Sequence, residues 1–343
     1  MSAKLPSKDK RDLARVSARK DIAATQLAAE AITKTLLEHA PAIAKGCQAT
    51  AIFVYVDALA HAHLRFPKEL APKVFYVTRS AEEEAGERWR GGKFLRVPHV
   101  PLTRMGQMKL ALFMAMSRNF IRPGDIVVFL GGIAESGTLD TILITQVGRE
   151  FEIYSATEQG DELPPGVLPE VLERVISIAA ELGLEGREGK PVGTIFVVGD
   201  SKRVLALSRP LTLNPFQGYP EEQRNILNPD LEETVKEFAA IDGAFVIRGD
   251  GVIESCGVYL KTASQKEYEL PPGLGTRHHA AAAITAVTDA IAVTVSQSTG
   301  TVTVFRHGKP VTEIEKPRST AREHEEFVLR STGSIPRSEP ERH

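Results

Sequence analysis

The chain has 343 residues, and its 42 Lys+Arg against 44 Asp+Glu give a formal net charge of −2. That balance excludes a polycationic coat for nucleic acid, while 42% hydrophobic and 25% charged residues exclude a wholly disordered chain. The length accommodates two domains, and two cysteines, Cys47 and Cys256, cannot build a disulfide framework, which points to the cytosol.

The first twenty residues carry charge throughout (Lys4, Lys8, Asp9, Lys10, Arg11, Asp12) and read as an N-terminal extension over residues 1–22, not a signal peptide. From Asp21 to Ala44, Ile22, Leu27, Ala31, Ile32 and Leu36 recur at helical spacing and predict an amphipathic helix. The apolar runs 51–56 and 73–78 predict strands buried on both faces of a parallel sheet. A helix is expected over Ala81 to Arg90, a short strand over Lys93 to Val97 and a Met-rich helix over Met105 to Ser117. After the turn Arg122-Pro-Gly-Asp125 come strands over 126–130 and 141–147, joined by a loop from Gly131 to Thr138. These elements form an α/β domain over residues 23–155.

Between Glu150 and Pro169 the chain turns acidic and proline-bearing, as a linker would. A second α/β domain over residues 168–316 follows. Its expected parts are a helix over Glu170 to Leu182, a strand over Gly193 to Val198, a helix over Leu231 to Ala239 and strands over Gly243 to Arg248 and Gly251 to Ser255. An Ala-rich helix over His279 to Ala290 and a strand pair over 292–296 and 301–306 complete it. The polar residues 317–343, punctuated by Pro336 and Pro340, read as a disordered tail. No apolar run is long enough to span a bilayer, so no membrane partner is expected.

Common nucleotide motifs fail. Gly183-Leu-Glu-Gly-Arg-Glu-Gly-Lys190 is one residue too long for a Walker loop and Pro191 stands where a metal-binding hydroxyl belongs. The turn Asp57-Ala-Leu-Ala60 lacks dinucleotide-binding glycines. The densest chemical cluster is Gly273-Leu-Gly-Thr-Arg-His-His-Ala280, a glycine turn at a helix start followed by hydroxyl, guanidinium and imidazole. Free amides, the positive end of the helix dipole and Arg277 suit an anion such as phosphate; a basic cap with two solvated histidines is the structural alternative. Adjacent His278 and His279 point different ways on a helix, which argues against zinc. The second cluster is Ala240-Ile-Asp-Gly-Ala244, an acid opening an apolar strand, with turn chemistry as its structural alternative.

Asp242-Gly-Ala244 together with Gly275-Thr-Arg-His278 and the following alanines resembles the diadenylate cyclase domain, the nucleotide-binding domain of the DNA integrity scanning protein. Val198-Gly-Asp200, Asn214-Pro-Phe216 and Glu237 to Ala244 are similar to its archaeal-type versions, so the resemblance covers residues 170 to 315. It implies a mixed sheet flanked by helices and condensation of two ATP into cyclic di-AMP and two pyrophosphates. Mn²⁺ or Mg²⁺ would be the cofactor and a facing protomer of a homo-oligomer the partner. It further implies that Asp242 binds the metal and helps deprotonate the 3′-hydroxyl, that Gly243 and Ala244 let nucleotide lie against the backbone, and that Leu260 meets adenine through its main chain. Gly275, Thr276, Arg277, His278, His279 and Ala280 would cradle the triphosphate, with Arg277 and His278 acting in catalysis. Two departures stand out: His279 replaces a usual arginine, and Gln297 in Ser296-Gln-Ser-Thr-Gly300 replaces an acidic or imidazole group. A non-catalytic sensor of ATP or cyclic di-AMP is the alternative. Arg122 to Gly132 with Ser136-Gly-Thr138 resembles the C-terminal domain of pyruvate kinase, which implies a regulatory or oligomerising role and a small-molecule effector. The chain carries no helix-hairpin-helix segment, so no specific DNA binding is expected.

Overall fold

A computed structural model describes residues 8–59, 66–79, 93–134, 136–148, 163–261 and 274–315, with side chains from residue 27 onward. The helix expected over 81–90, most of the linker, Gly273 and the tail lie outside the described residues.

Helix α1 spans Lys8–Gly46, passes through Pro41 and begins well ahead of the expected Asp21. Residues 8–22 are charged but rich in Lys, Arg and Ala, all good helix formers, so this part of the expected extension belongs to the helix. Strands β1 (Ala51–Tyr55), β2 (Val74–Thr78) and β3 (Lys93–Arg96) follow, then helix α2 (Arg104–Ser117), β4 (Ile126–Gly131) and β5 (Thr141–Gln146). They form one sheet in the order β3-β2-β1-β4-β5. β1 lies parallel to β2 and β4, β2 parallel to β3, and β5 returns antiparallel to β4. Every β1 residue is buried, as a continuous apolar run in a central parallel strand requires, and Phe53 stacks on Phe75 at 5.3 Å. Thr103 caps α2 by accepting from the Gly106 amide.

The second unit comprises α3 (Pro169–Glu185), β6 (Thr194–Val198), α4 (Ser201–Ala206), β7 (Ser208–Pro210), α5 (Glu232–Phe238), β8 (Ala244–Ile247), β9 (Ile253–Leu260), α6 (Thr276–Val287), β10 (Ile291–Val295), β11 (Val302–Arg306) and β12 (Lys309–Ile314). Its seven-stranded sheet runs β12-β11-β10-β6-β8-β9-β7, with β6 and β8 parallel and the remaining pairs antiparallel. Period-two alternation splits the central strands between two cores. Phe196, Val198, Phe245 and Ile247 face one side with α3, and Phe196 stacks on Phe245 at 4.9 Å. Ile195, Val197, Ala244 and Val246 face the other, beneath Ala281, Ala282 and Ile284 of α6. Each large apolar side chain so buried contributes about 1.5–3 kcal/mol. The small alanines of α6 let that helix lie close on the sheet.

Three parts escape the sequence reading: α4, the three-residue edge strand β7, and β12. β9 also continues to Leu260, beyond the expected Ser255, and α6 begins three residues earlier than expected. The first core cluster continues into the second unit, where α2 packs against β12 and α3. There Arg118, after α2, donates twice to Glu173 of α3, at 2.7 and 2.9 Å.

Candidate active site

The expected residues converge on one end of the second sheet. β6 and β8 are parallel with Ile195 opposite Ala244, while β10 runs against β6 with Val295 opposite Thr194. Gly193, Asp242 and Gln297 therefore lie beyond the same end of three neighbouring strands. Leu260 reaches that end on β9, two residues past the Val258–Ala244 pair.

Helix α6 starts there. Its N-cap, Gly275, offers no side-chain acceptor and faces open space; the His278 amide donates to the Gly275 carbonyl at 3.0 Å, and the Thr276 and Arg277 amides with the positive helix end are left for another acceptor. From the first turn Arg277 reaches outward: one terminal nitrogen lies 3.4 Å from Asp242 Oδ1 and the other 3.3 Å from Gln297 Oε1. Gln297 Nε2 in turn donates to the Pro191 carbonyl at 3.5 Å. The Asp242 side chain is 90% exposed and that of Arg277 30%. These are long, open contacts that an incoming anion or cation can replace.

Successive residues of α6 take different directions. Thr276 and His279 are exposed and Ala280 is half-buried. His278 is buried, with its ring edge-on to Phe305 at 5.9 Å and Nδ1 lacking a partner. Burial, reinforced by neighbouring His279, pushes its pKa below the ordinary histidine value, so the ring is neutral at pH 7. Its imidazole thus turns into the core while Arg277 serves the open end.

Gly243 has φ +114°, and a Cβ there would lie 2.7 Å from the Gly257 carbonyl carbon. The glycine is needed because β9 approaches its backbone, a packing demand separate from any ligand. The side chains of Ala244 and Leu260 are buried in the core beneath α6. Only their main chains remain to meet a ligand.

One feature of the site is invisible in the sequence. Beside β7 and β9 lies a cavity of about 660 Å³, lined among others by Ser208, Arg209, Thr212, Asn214, Ser255 and Val258. It adjoins the site: a Cβ on Gly257 would meet Thr212 Oγ1 at 2.5 Å and the Asp242 carbonyl at 3.8 Å. A β7 strand of three residues carries too little pattern to announce this edge, although Asn214-Pro-Phe216 lies within the resemblance.

In the first sheet, past the C-terminal ends of β1 and β2, Asp57 accepts from Thr78 Oγ1 at 2.6 Å, from the Arg79 amide at 2.8 Å and from Arg79 Nε at 3.1 Å. In the β4–β5 loop the Ser136 hydroxyl donates to the Thr138 carbonyl at 3.3 Å and accepts from the Thr138 amide at 3.2 Å. Among the described residues no group of three or more His, Cys, Asp or Glu gathers to hold a metal, and no helix is long and apolar enough to cross a membrane.

Comparison with known proteins supplies the context for this geometry. Residues 181–310, which include Asp242, Arg277 and Gln297, match the family described as DisA bacterial checkpoint controller nucleotide-binding, and residues 33–153 match one described as "Probable sensor domain DacZ_P". A diadenylate cyclase of Haloferax volcanii is 37% identical over 205 residues, 59% of this chain and 72% of that protein. The chain belongs to the diadenylate cyclase family. A second relative of that name, from Methanocaldococcus jannaschii, is 43% identical over 197 residues, 57% of this chain. The chain spans 60% of that relative's length. Among solved structures, a hypothetical membrane spanning protein from Bacillus cereus aligns at 21% identity over 43% of this chain and 64% of its own, with a TM-score of 0.33. DacA from Staphylococcus aureus aligns at 22% identity over 47% of this chain and 95% of its own, with a TM-score of 0.28.

Proposed function

We propose that this chain condenses two ATP into cyclic di-AMP with release of two pyrophosphates. The observation that carries the reading is the pairing of Asp242, an exposed acid before β8, with Arg277 at the uncapped start of α6. An acid and an anion cradle within one hydrogen bond of each other are the parts nucleotidyl transfer needs, since that chemistry is mostly positioning and charge neutralisation.

In each of two steps the 3′-oxygen of one ATP attacks the α-phosphorus of the other. A P–O bond forms, the bond to the β-phosphate breaks, and pyrophosphate leaves with its electron pair. Asp242 takes the hydroxyl proton, and the Arg277 guanidinium with the Thr276 and Arg277 amides at the start of α6 neutralises the phosphate charge. The cavity beside β7 and β9 receives the nucleoside end, near the Leu260 main chain. His278 anchors the first turn of α6 from the core side, and His279 faces the incoming phosphates from solvent.

A single hard, exposed carboxylate suits Mn²⁺ or Mg²⁺ shared with nucleotide phosphates, and Asp242 is the group that would hold it; bound there, the ion supplies charge neutralisation. The 90% exposure of Asp242 also supports a site completed by a facing protomer, because one chain leaves it open to water. Exposed Ile241, Leu213 and Tyr259 supply apolar surface for such a contact. The first unit, with its match to a sensor domain, would regulate turnover through a small-molecule effector. A cytosolic enzyme drawing on cellular ATP fits these parts.

Purified protein incubated with ATP and Mn²⁺ or Mg²⁺, with nucleotides read by chromatography and mass, tests the proposal. Cyclic di-AMP from the wild type supports it. ATP binding without product overturns it in favour of a nucleotide sensor.

A further inference from the structure

We propose that Gly193 and Gln297 form a seat that fixes the guanidinium of Arg277, which makes both positioning residues for the triphosphate cradle. The inference rests on the nucleotide-binding reading of that cradle and adds two residues to it.

Gly193 immediately precedes β6 and is buried. A Cβ there would lie 2.8 Å from Arg277 Nη1, 3.1 Å from Cζ and 2.9 Å from Gln297 Cβ. The guanidinium therefore occupies the space a side chain would take. Gly193 is absent from the positive-φ residues, so its backbone does not demand glycine. The demand comes from the arginine. This distinguishes it from Gly183 and Gly186, where an added Cβ would strike backbone carbonyl oxygens 2.2 Å away. At Gly193 the nearest obstacle is the end of a flexible side chain and the next, Gln297 Cβ, belongs to the other half of the seat, so alanine displaces Arg277 and presses on the Gln297 turn.

Gln297 holds the other edge of the guanidinium. Its amide oxygen accepts from Arg277 while its nitrogen donates to Pro191, which ties the arginine to the segment entering β6. The turn that carries it is itself fixed. Gly300 donates to the Ser296 carbonyl at 2.8 Å, Ser296 donates to Thr301 at 2.9 Å, and Gly300 packs against Gly183 of α3. A neutral amide suits this task. It orients the fork without cancelling the charge, which a carboxylate at 297 would do in competition with phosphate.

The test compares ATP with adenosine binding by calorimetry, because only ATP uses the arginine. Gly193→Ala should weaken ATP roughly tenfold to hundredfold, as expected for a misplaced charged contact, while leaving adenosine affinity unchanged. In an Arg277→Ala background the same substitution should cost nothing further. Gln297→Leu, at an exposed position, should weaken ATP in the same selective way, and Gln297→Glu should do so by competition. ATP affinity unchanged in Gly193→Ala, or a loss that persists without Arg277, overturns the seat. Should Gly193→Ala fail to fold, Gln297→Leu decides: equal weakening of ATP and adenosine, or of neither, overturns it. Product formation by the wild type is scored separately, so a chain that binds ATP without making cyclic di-AMP defeats the cyclase reading while the variants still judge the seat. A wild type that binds no ATP overturns both.

Discussion

Each unit places an aspartate beside an arginine near the end of a sheet, and the two pairs are built for opposite purposes. The side chains of Asp57 and Arg79 are 7% and 9% exposed, and the carboxylate also accepts from Thr78 and the Arg79 amide, so its oxygens are committed to the protein. Asp242 and Arg277 are 90% and 30% exposed and meet at 3.4 Å. A desolvated, multiply bonded pair keeps loops together, because either charge left alone in that place is costly. A solvated, long pair contributes little to stability and exchanges partners readily. The same two residue types thus give a clamp in the first unit and a site in the second.

The comparison can be broken by substitutions, and the largest effect is expected at the open pair. Asp242→Asn should lower cyclic di-AMP formation about 10³-fold while leaving the urea unfolding midpoint unchanged, since it removes a proton acceptor and charge but little buried surface. Undiminished turnover would end the assignment. At the closed pair the pattern should reverse: Asp57→Ala should lose about 1–3 kcal/mol in urea unfolding, because the Thr78 hydroxyl and the Arg79 amide lose their acceptor, and a loss below ~0.5 kcal/mol would show the clamp to be incidental.

A smaller effect concerns pH. Burial lowers the pKa of His278 and, with Arg306, that of His307, so the unfolded chain binds protons that the folded chain resists. Stability should fall as pH drops through and below the ordinary histidine value near 6.5, and be restored above it. His278→Leu should flatten that acid limb in thermal melts from pH 5 to 8; an unaltered slope would place the titration elsewhere. Smallest of all, Arg118→Ala should cost under about 1 kcal/mol in urea unfolding, because its bridge to Glu173 is partly solvated and screened.

Much of this fold was legible in the order of residues. The runs at β1, β2, β4 and β6 announced themselves because strands buried on both faces need unbroken apolar sequence, and α2 and α3 showed helical spacing. The short edge strand β7 was not legible, since three residues hold no period. Nor was the start of α1, where charge hid good helix formers. For the site, the glycine turn and the acid ahead of β8 were visible as chemical types. The sequence could not show that Gly243 answers to the β9 backbone, that Gly193 answers to an arginine 84 positions away in the chain, or that a cavity opens beside them.

The run Thr276-Arg-His-His279 draws the boundary between the two sources. Sequence alone determined which chemical groups stand at the start of a helix, because glycine, hydroxyl, guanidinium and imidazole keep their character anywhere. The tertiary structure decided what each one does. Successive helical residues are turned about 100° apart, and the sheet beneath α6 covers only one side of it. That geometry sends Arg277 to Asp242 and Gln297, buries His278 against Phe305 as a neutral ring, and leaves His279 in water. Which of three adjacent basic side chains is a ligand, a core residue or a solvated group follows from where the sheet lies.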